Sequence, residues 1–220
     1  MSKQRAFVSA IVAGVAAVGL AVPATAGPPL LCHPFDIGAA PSLPWDGSRA
    51  FWQGRADYPV ADVVSDTESL LGPAVPVIVR METLRRAAIY ASAHADLAAR
   101  LHASFETRVR RSQGSGRGDP LAIFDLAYLT ETYRQIAELD RSMSEFQGRG
   151  PALLKIVGST NGYALVAQLL EVRTDDPAME FAAALMRGRR DDGAFRVHAA
   201  KARAGAGRDA LLARNLGHIS

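Results

Sequence analysis

Cysteine occurs once in the 220 residues, as Cys32, and lysine three times, as Lys3, Lys155 and Lys201. A single thiol excludes an intrachain disulfide and every structural zinc site that needs two or more thiolates, so packing must hold the fold together. Strand-like runs are nearly missing. Val75 to Val79 is the one β-branched stretch, and its neighbours assign it to a helix. The five histidines make no H-E-x-x-H pair, which removes the usual metalloprotease arrangement. Gly114-Ser115-Gly116 only approaches a nucleophile elbow and lies in a polar loop. Phosphate-cradling and dinucleotide-binding glycine patterns are also lacking. A hydrophobic content of 49% excludes a disordered chain.

The N-terminus reads as an export signal. Lys3 and Arg5 precede an apolar stretch from Ala6 to Val22, and Ala24-Thr25-Ala26 has the small-residue pattern of a cleavage site. Pro23 and the small residues after it favour cleavage over an uncleaved anchor helix. Cleavage after Ala26 leaves 194 residues, and losing two cations and no anion takes the formal charge from +3 to +1. A chain so close to neutral does not read as a nucleic-acid binder, and with the leader removed no membrane association is expected. Of the 25 basic residues all but three are arginine. Arginine presents a planar fork suited to carboxylates and phosphates, although codon bias accounts for the excess as well.

Residues 27–58 read as an extended arm. Pro28, Pro29, Pro34, Pro41 and Pro44 remove backbone donors and disfavour helix before them. Leu30, Leu31, Phe35, Ile37, Leu43, Trp45, Phe51 and Trp52 give the arm more apolar surface than a solvated linker needs. An arm laid across a helical body and held by these anchors is therefore expected, each anchor worth about 1.5–3 kcal/mol if fully buried.

Residues 59–220 read as a helical domain. A short helix from Asp62 to Leu71 closes at Gly72-Pro73, and Pro76 suits the first turn of the next. There Val77, Met81, Leu84, Ala88 and Ala91 form an apolar stripe with helical period. Further helices are predicted from about Ala93 to Arg111, Pro120 to Asp140, Pro151 to Val157, Tyr163 to Arg173, Pro177 to Arg187, Gly193 to Ala204 and Arg208 to Leu216. Asp119-Pro120 and Asp176-Pro177 repeat a cap-then-proline start. The expected fold is all-α: antiparallel helical hairpins, arranged as a solenoid or as an irregular bundle, with an extended Pro/aromatic N-terminal arm.

The string Gly27-Pro28-Pro29-Leu30-Leu31-Cys32-His33-Pro34-Phe35-Asp36-Ile37-Gly38, with Ser42-Leu43-Pro44-Trp45 and the helix Pro76-Val77-Ile78-Val79-Arg80-Met81-Glu82-Thr83-Leu84-Arg85-Arg86-Ala87, resembles a group of exported bacterial proteins to which no activity is attached. The likeness spans nearly all of the mature chain. It implies an exported helical protein, periplasmic or secreted, in which arm and helix belong to one plan. The helix pairing is also similar to tetratricopeptide hairpins. The two Asp-Pro starts nevertheless lie 57 residues apart rather than at a multiple of about 34.

Two sets of residues are candidates for binding chemistry. Cys32, His33 and Asp36 place a thiol, an imidazole and a carboxylate within five residues, a combination that serves a metal or a nucleophile and base. Neighbouring side chains in an extended segment point apart, so such a site needs ligands from the body, Glu82 or Glu131; the plainer reading is a packed thiol beside a histidine bonded to backbone. The second set is Glu82, Arg85 and Arg86 on one helix with Glu131 and Arg134 on another. Their spacings read as ion pairs that set helix docking, or as a polar groove for an anionic ligand. No residue set reads as catalytic and no cofactor or resident metal is implied. The leading expectation is a non-enzymatic module that binds a protein or peptide partner in a groove between helical hairpins. The alternative is a metal- or thiol-dependent site where the Cys32/His33/Asp36 arm meets the body, and a third reading makes the arm a pure clamp. N-terminal sequencing of the exported protein is expected to begin at Gly27; a retained leader would identify an anchor instead.

Overall fold

A computed structural model of the chain describes residues 30–46, 50–114, 118–188 and 192–220. The leader and its cleavage site lie outside the described residues. Among them the chain forms nine α-helices and no strand. These are α1 Val63–Leu70, α2 Val77–Ser92, α3 Ala95–Gly114, α4 Pro120–Leu139, α5 Gly150–Val157, α6 Gly162–Val172, α7 Pro177–Arg187, α8 Gly193–Gly205 and α9 Ala210–Asn215. Short 3₁₀ turns at Val60–Asp62, Ser144–Phe146, Ala206–Arg208 and Leu216–Ile219 join or finish them.

The helix starts follow local chemistry. Asp119 accepts from Leu121 N and Asp176 from Met179 N, each with proline in the first turn. Asn161, Asp192 and Asp209 cap α6, α8 and α9 in the same way. Each such cap is worth about 1 kcal/mol. Gly188 ends α7 at φ 64°, a left-handed conformation that glycine adopts without steric cost. Several boundaries differ from the sequence reading: α3 begins at Ala95 and runs on to Gly114, past the Arg111 end predicted from the glycine- and serine-rich stretch that follows. Pro76 stands just before α2 rather than within its first turn, and the final α-helix gives way to the 3₁₀ turn Leu216–Ile219.

The assembly is an irregular bundle around α4. That helix packs on α2, α3, α5, α6 and α7, whereas a solenoid repeat touches only its neighbours. The chain ends also meet: Asp36 N donates to Asn215 Oδ1, and Asn215 Nδ2 donates back to Asp36 O, 179 residues apart. The apolar stripe foreseen on α2 is only part of its buried surface. Arg80, Glu82, Thr83 and Arg85 are as buried as Met81 and Leu84, because helices cover one side of α2 and the arm covers the other.

One buried charge cluster fixes the α1–α2 corner. Arg80 Nη1 donates to Asp125 Oδ2 at 2.6 Å, its Nε donates to Val75 O at 3.1 Å, and its Nη2 reaches the Leu71 and Gly72 carbonyls. Arg108 adds bonds to Asp125 Oδ2 at 3.2 Å and to Leu71 O at 3.2 Å. Both Arg80 and Asp125 side chains are fully buried, and Asp125 Oδ1 has no partner. Burial pushes the Asp125 carboxyl up to about 6 against the pull of Arg80 and Arg108. Removing one member of such a pair strands the other charge. Asp125→Ala is therefore expected to lower stability by about 3–5 kcal/mol in urea unfolding, with Arg80→Met in the same chain recovering part of that loss.

Candidate functional site

The arm crosses the polar face of α2, and five side chains of that helix hold it, among them Thr83, whose hydroxyl is hydrogen-bonded to that of Ser42 at 2.9 Å. Glu82 Oε2 accepts from Phe35 N at 3.0 Å and Arg85 Nε at 2.8 Å. Its Oε1 accepts from Arg85 Nη2 at 2.9 Å and Arg86 Nε at 2.7 Å. Arg85 Nη1 then donates to Leu31 O and Phe51 O, Arg86 Nη1 to Leu43 O, and Tyr90 Oη to Pro44 O. Trp45 lies over both guanidiniums, 4.8 Å from Arg85 and 5.9 Å from Arg86, and meets Tyr90 edge to face. Gly54 passes so close to the Tyr90 ring that a Cβ would collide with it, which lets Tyr90 Oη accept from Arg55 N.

Apolar contacts complete the seam. Leu30, Leu31, Phe35, Ile37 and Leu43 are buried, while Trp45, Phe51 and Trp52 are half-buried against the core. Burial pushes the Glu82 carboxyl up, but the hydrogen bonds and charges of Arg85 and Arg86 outweigh it and hold Glu82 below the ordinary carboxylate value.

The other candidates lie as follows. Cys32 is half-buried, and burial pushes its thiol up to about 11 despite the nearby Arg85 charge, which leaves little thiolate for nucleophilic work. Asp36 accepts from Gly38 N at 2.9 Å and faces Arg214 at 3.7 Å, away from a common centre with Cys32 and His33. Among the described residues no cluster of three or more His, Cys, Asp or Glu side chains is placed to hold a metal. Glu131 and Arg134 serve a different place. Glu131 Oε1 accepts from Gly162 N at 2.7 Å, and Arg134 Nη2 donates to Gly158 O at 2.9 Å and Thr160 O at 2.6 Å, closing the α5–α6 turn. A side chain at Gly162 would strike Ala127 O and Glu131, so glycine is required for that approach.

Compared with known family models, curated proteins and solved structures, the chain matches none. Function must therefore be argued from the geometry alone.

Three features escaped the sequence reading because they join distant residues. His33 and His218 lie with ring centroids 6.0 Å apart, and Phe35 packs on His218 at 5.0 Å. Burial lowers both imidazoles, and His218, also repelled by a charge on His33, falls to about 4. In the second feature Tyr163 Oη meets His198 Nε2 at 3.1 Å, His198 Nδ1 meets Glu180 Oε2 at 2.5 Å, and Lys201 Nζ donates to Glu180 Oε1 at 2.8 Å. With a proton on Nδ1, His198 donates to the Glu180 carboxylate while its Nε2 faces the Tyr163 hydroxyl. It ties α6, α7 and α8 together. Asp-Pro starts and apolar periods carry no signal for it.

The third is an open groove of about 650 Å³ between α1 and α3. Its apolar floor contains Val64, Leu71 and Ala103, and Arg100, Arg108 and Arg111 stand along it. Arg100, Ser104, Arg108 and Arg111 share one α3 face by helical spacing. Arg108 is committed to Asp125 and Leu71 O, whereas the side chains of Arg100 and Arg111 are exposed and make no ion pair or hydrogen bond with another described residue.

The trio on α2 makes arm docking dependent on one carboxylate. Because its folded-state pKa is depressed, Glu82 contributes stability above the unfolded carboxylate value, and that contribution fades as pH falls through the lower folded value. Tryptophan emission of the wild type should therefore shift to the red in acid as the arm lifts. Glu82→Ala should show the red-shifted emission already at neutral pH and cleavage by added protease between residues 30 and 58. Unchanged emission and protection in that variant would show that apolar contacts alone hold the arm.

Proposed function

We propose that the protein is an exported helical binding module, and that the α1–α3 groove takes an extended acidic segment of a partner peptide. The observation that carries this reading is the pair of unpartnered arginines, Arg100 and Arg111, at the two ends of an apolar floor. Eleven helical residues separate them by about 16 Å. An extended peptide rises about 3.3 Å per residue and turns every second side chain to the same face, so carboxylates at i and i+4, about 13 Å apart on one face, lie within reach of the two long guanidinium side chains. An apolar side chain between them faces Val64, Leu71 and Ala103. Glu68, on the opposite wall, disfavours a continuous acidic run and favours spaced charges. The leader-like N-terminus supports the exported part of the reading.

The probe is a fluorescent peptide with glutamates four positions apart about a central leucine, compared with a peptide of the same composition whose glutamates are adjacent. The spaced peptide is expected to bind more tightly, and to weaken with added salt. Arg100→Glu with Arg111→Glu should weaken it at least about tenfold, since surface pairs each worth up to about 1 kcal/mol become repulsive. Both positions are exposed, so folding should be retained. Equal binding of the two peptides, or indifference to the double substitution, would sink the proposal, as would equal affinity for a single-stranded oligonucleotide.

A further inference from the structure

We infer that His33 and His218 together form a two-coordinate site for a soft monovalent cation of the Cu(I) type, built where the arm meets the C-terminal turn. The site is independent of the α1–α3 groove and of the reading proposed for it. Three observations carry it. His33 Nε2 is buried and has no hydrogen-bond partner within the protein, an orphan of the kind that calls for an unseen water or ion. The two rings lie 6.0 Å apart centroid to centroid and 59° out of plane. An imidazole nitrogen binds its metal at about 2 Å, so two rings sharing one ion along a nearly straight line stand a little over about 6 Å apart, close to the separation seen. Among the described residues no polar side chain is hydrogen-bonded to either ring, whereas His102 and His198 are bonded to Thr130 and Tyr163.

The chemistry of the surroundings selects the ion. No third carboxylate, thiol or imidazole joins the pair to make a ligand cluster among the described residues, so a four-coordinate ion such as Zn²⁺ is left short of donors. A nearly linear pair of imidazoles satisfies Cu(I), which needs no further ligand. Phe35 and Phe181 wall His218 at 5.0 and 6.3 Å, an apolar setting that admits one positive charge more readily than two. The Glu82 carboxylate acts on His218 as a favourable negative charge. Both histidines are only part-buried, so an ion can enter from solvent. Cys32 stands beside His33 in sequence, and its thiol is the group that the test must separate from the imidazoles.

The experiment is an anaerobic titration of the purified protein with Cu(I) against a chromogenic chelator, with Ag(I) as a redox-inert substitute. One equivalent is expected to bind. His33→Asn and His218→Gln should each lower the affinity by more than the about 10–100-fold that loss of a mere outer-shell partner costs. Cys32→Ser should leave affinity unchanged, and X-ray absorption should give two nitrogen neighbours and no sulfur. Imidazole ¹⁵N shifts of His33 and His218 on adding Ag(I) to the wild-type protein give the same answer without any variant. Absence of those shifts, a sulfur neighbour, or affinity retained in both histidine variants would overturn the site.

Discussion

The structure depends on finding partners for the backbone of an irregular arm. A segment with Pro34, Pro41 and Pro44 cannot enter a helix or a continuous ladder, yet it lies on the core with Leu30, Leu31 and Leu43 fully buried. Its carbonyls at Leu31, Leu43, Pro44 and Phe51 must be met by donors from the body, and Arg85, Arg86 and Tyr90 supply them. Arginine suits this work because it offers five fixed donors and no acceptor, and it remains charged when desolvated. Glu82 supplies the compensating charge and accepts from Phe35 N, as Tyr90 Oη accepts from Arg55 N. The arm and α2 are therefore parts of a single hydrogen-bonded unit.

Its other side repeats the device. Arg80 and Glu82 are two residues apart on a helix and so point in different directions. Arg80 turns to the α1–α2 corner, where it and Arg108 satisfy carbonyls left open at the end of α1 while Asp125 balances them. The two clusters respond to protons with opposite sign. The Asp125 contribution declines as pH rises from the ordinary carboxylate value to about 6, because the unfolded chain releases that proton first. Glu82, held low by its arginines, contributes above the ordinary value and loses that contribution in acid. The two contributions therefore change in opposite directions as acid is added.

Much of the fold was legible because helix starts are local. Asp119-Pro120 and Asp176-Pro177 announce α4 and α7 within two residues, and the proline-rich aromatic arm announces itself by composition. Side-chain destinations were not legible. Glu82 and Glu131 have the same Glu-x-x-Arg spacing, yet one is wholly buried beneath the arm and the other closes the α5–α6 turn. The stripe on α2 revealed the side that faces helices and concealed the side that faces the arm, since that side is polar and its burial depends on residues some 50 positions earlier. His33 with His218, and Tyr163 with His198 and Glu180, are contacts between distant segments, and no period or spacing encodes them.

The arginines divide by what the fold asks of them. Arg80, Arg85, Arg86, Arg108, Arg134 and Arg203 donate to backbone carbonyls, and those at the arm and the α1–α2 corner answer groups that burial would otherwise leave unsatisfied. Arg100 and Arg111 answer no such need. They stand at either end of a shallow apolar trough on α3, where a pair of isolated cations adds nothing to packing and, by mutual repulsion, slightly opposes it. The structural arginines account for arm and corner without them, which leaves their cations open to the acidic partner proposed for the groove. A partner that brings two carboxylates at the matching span completes the same arginine-to-oxygen pattern that the protein uses to hold itself together.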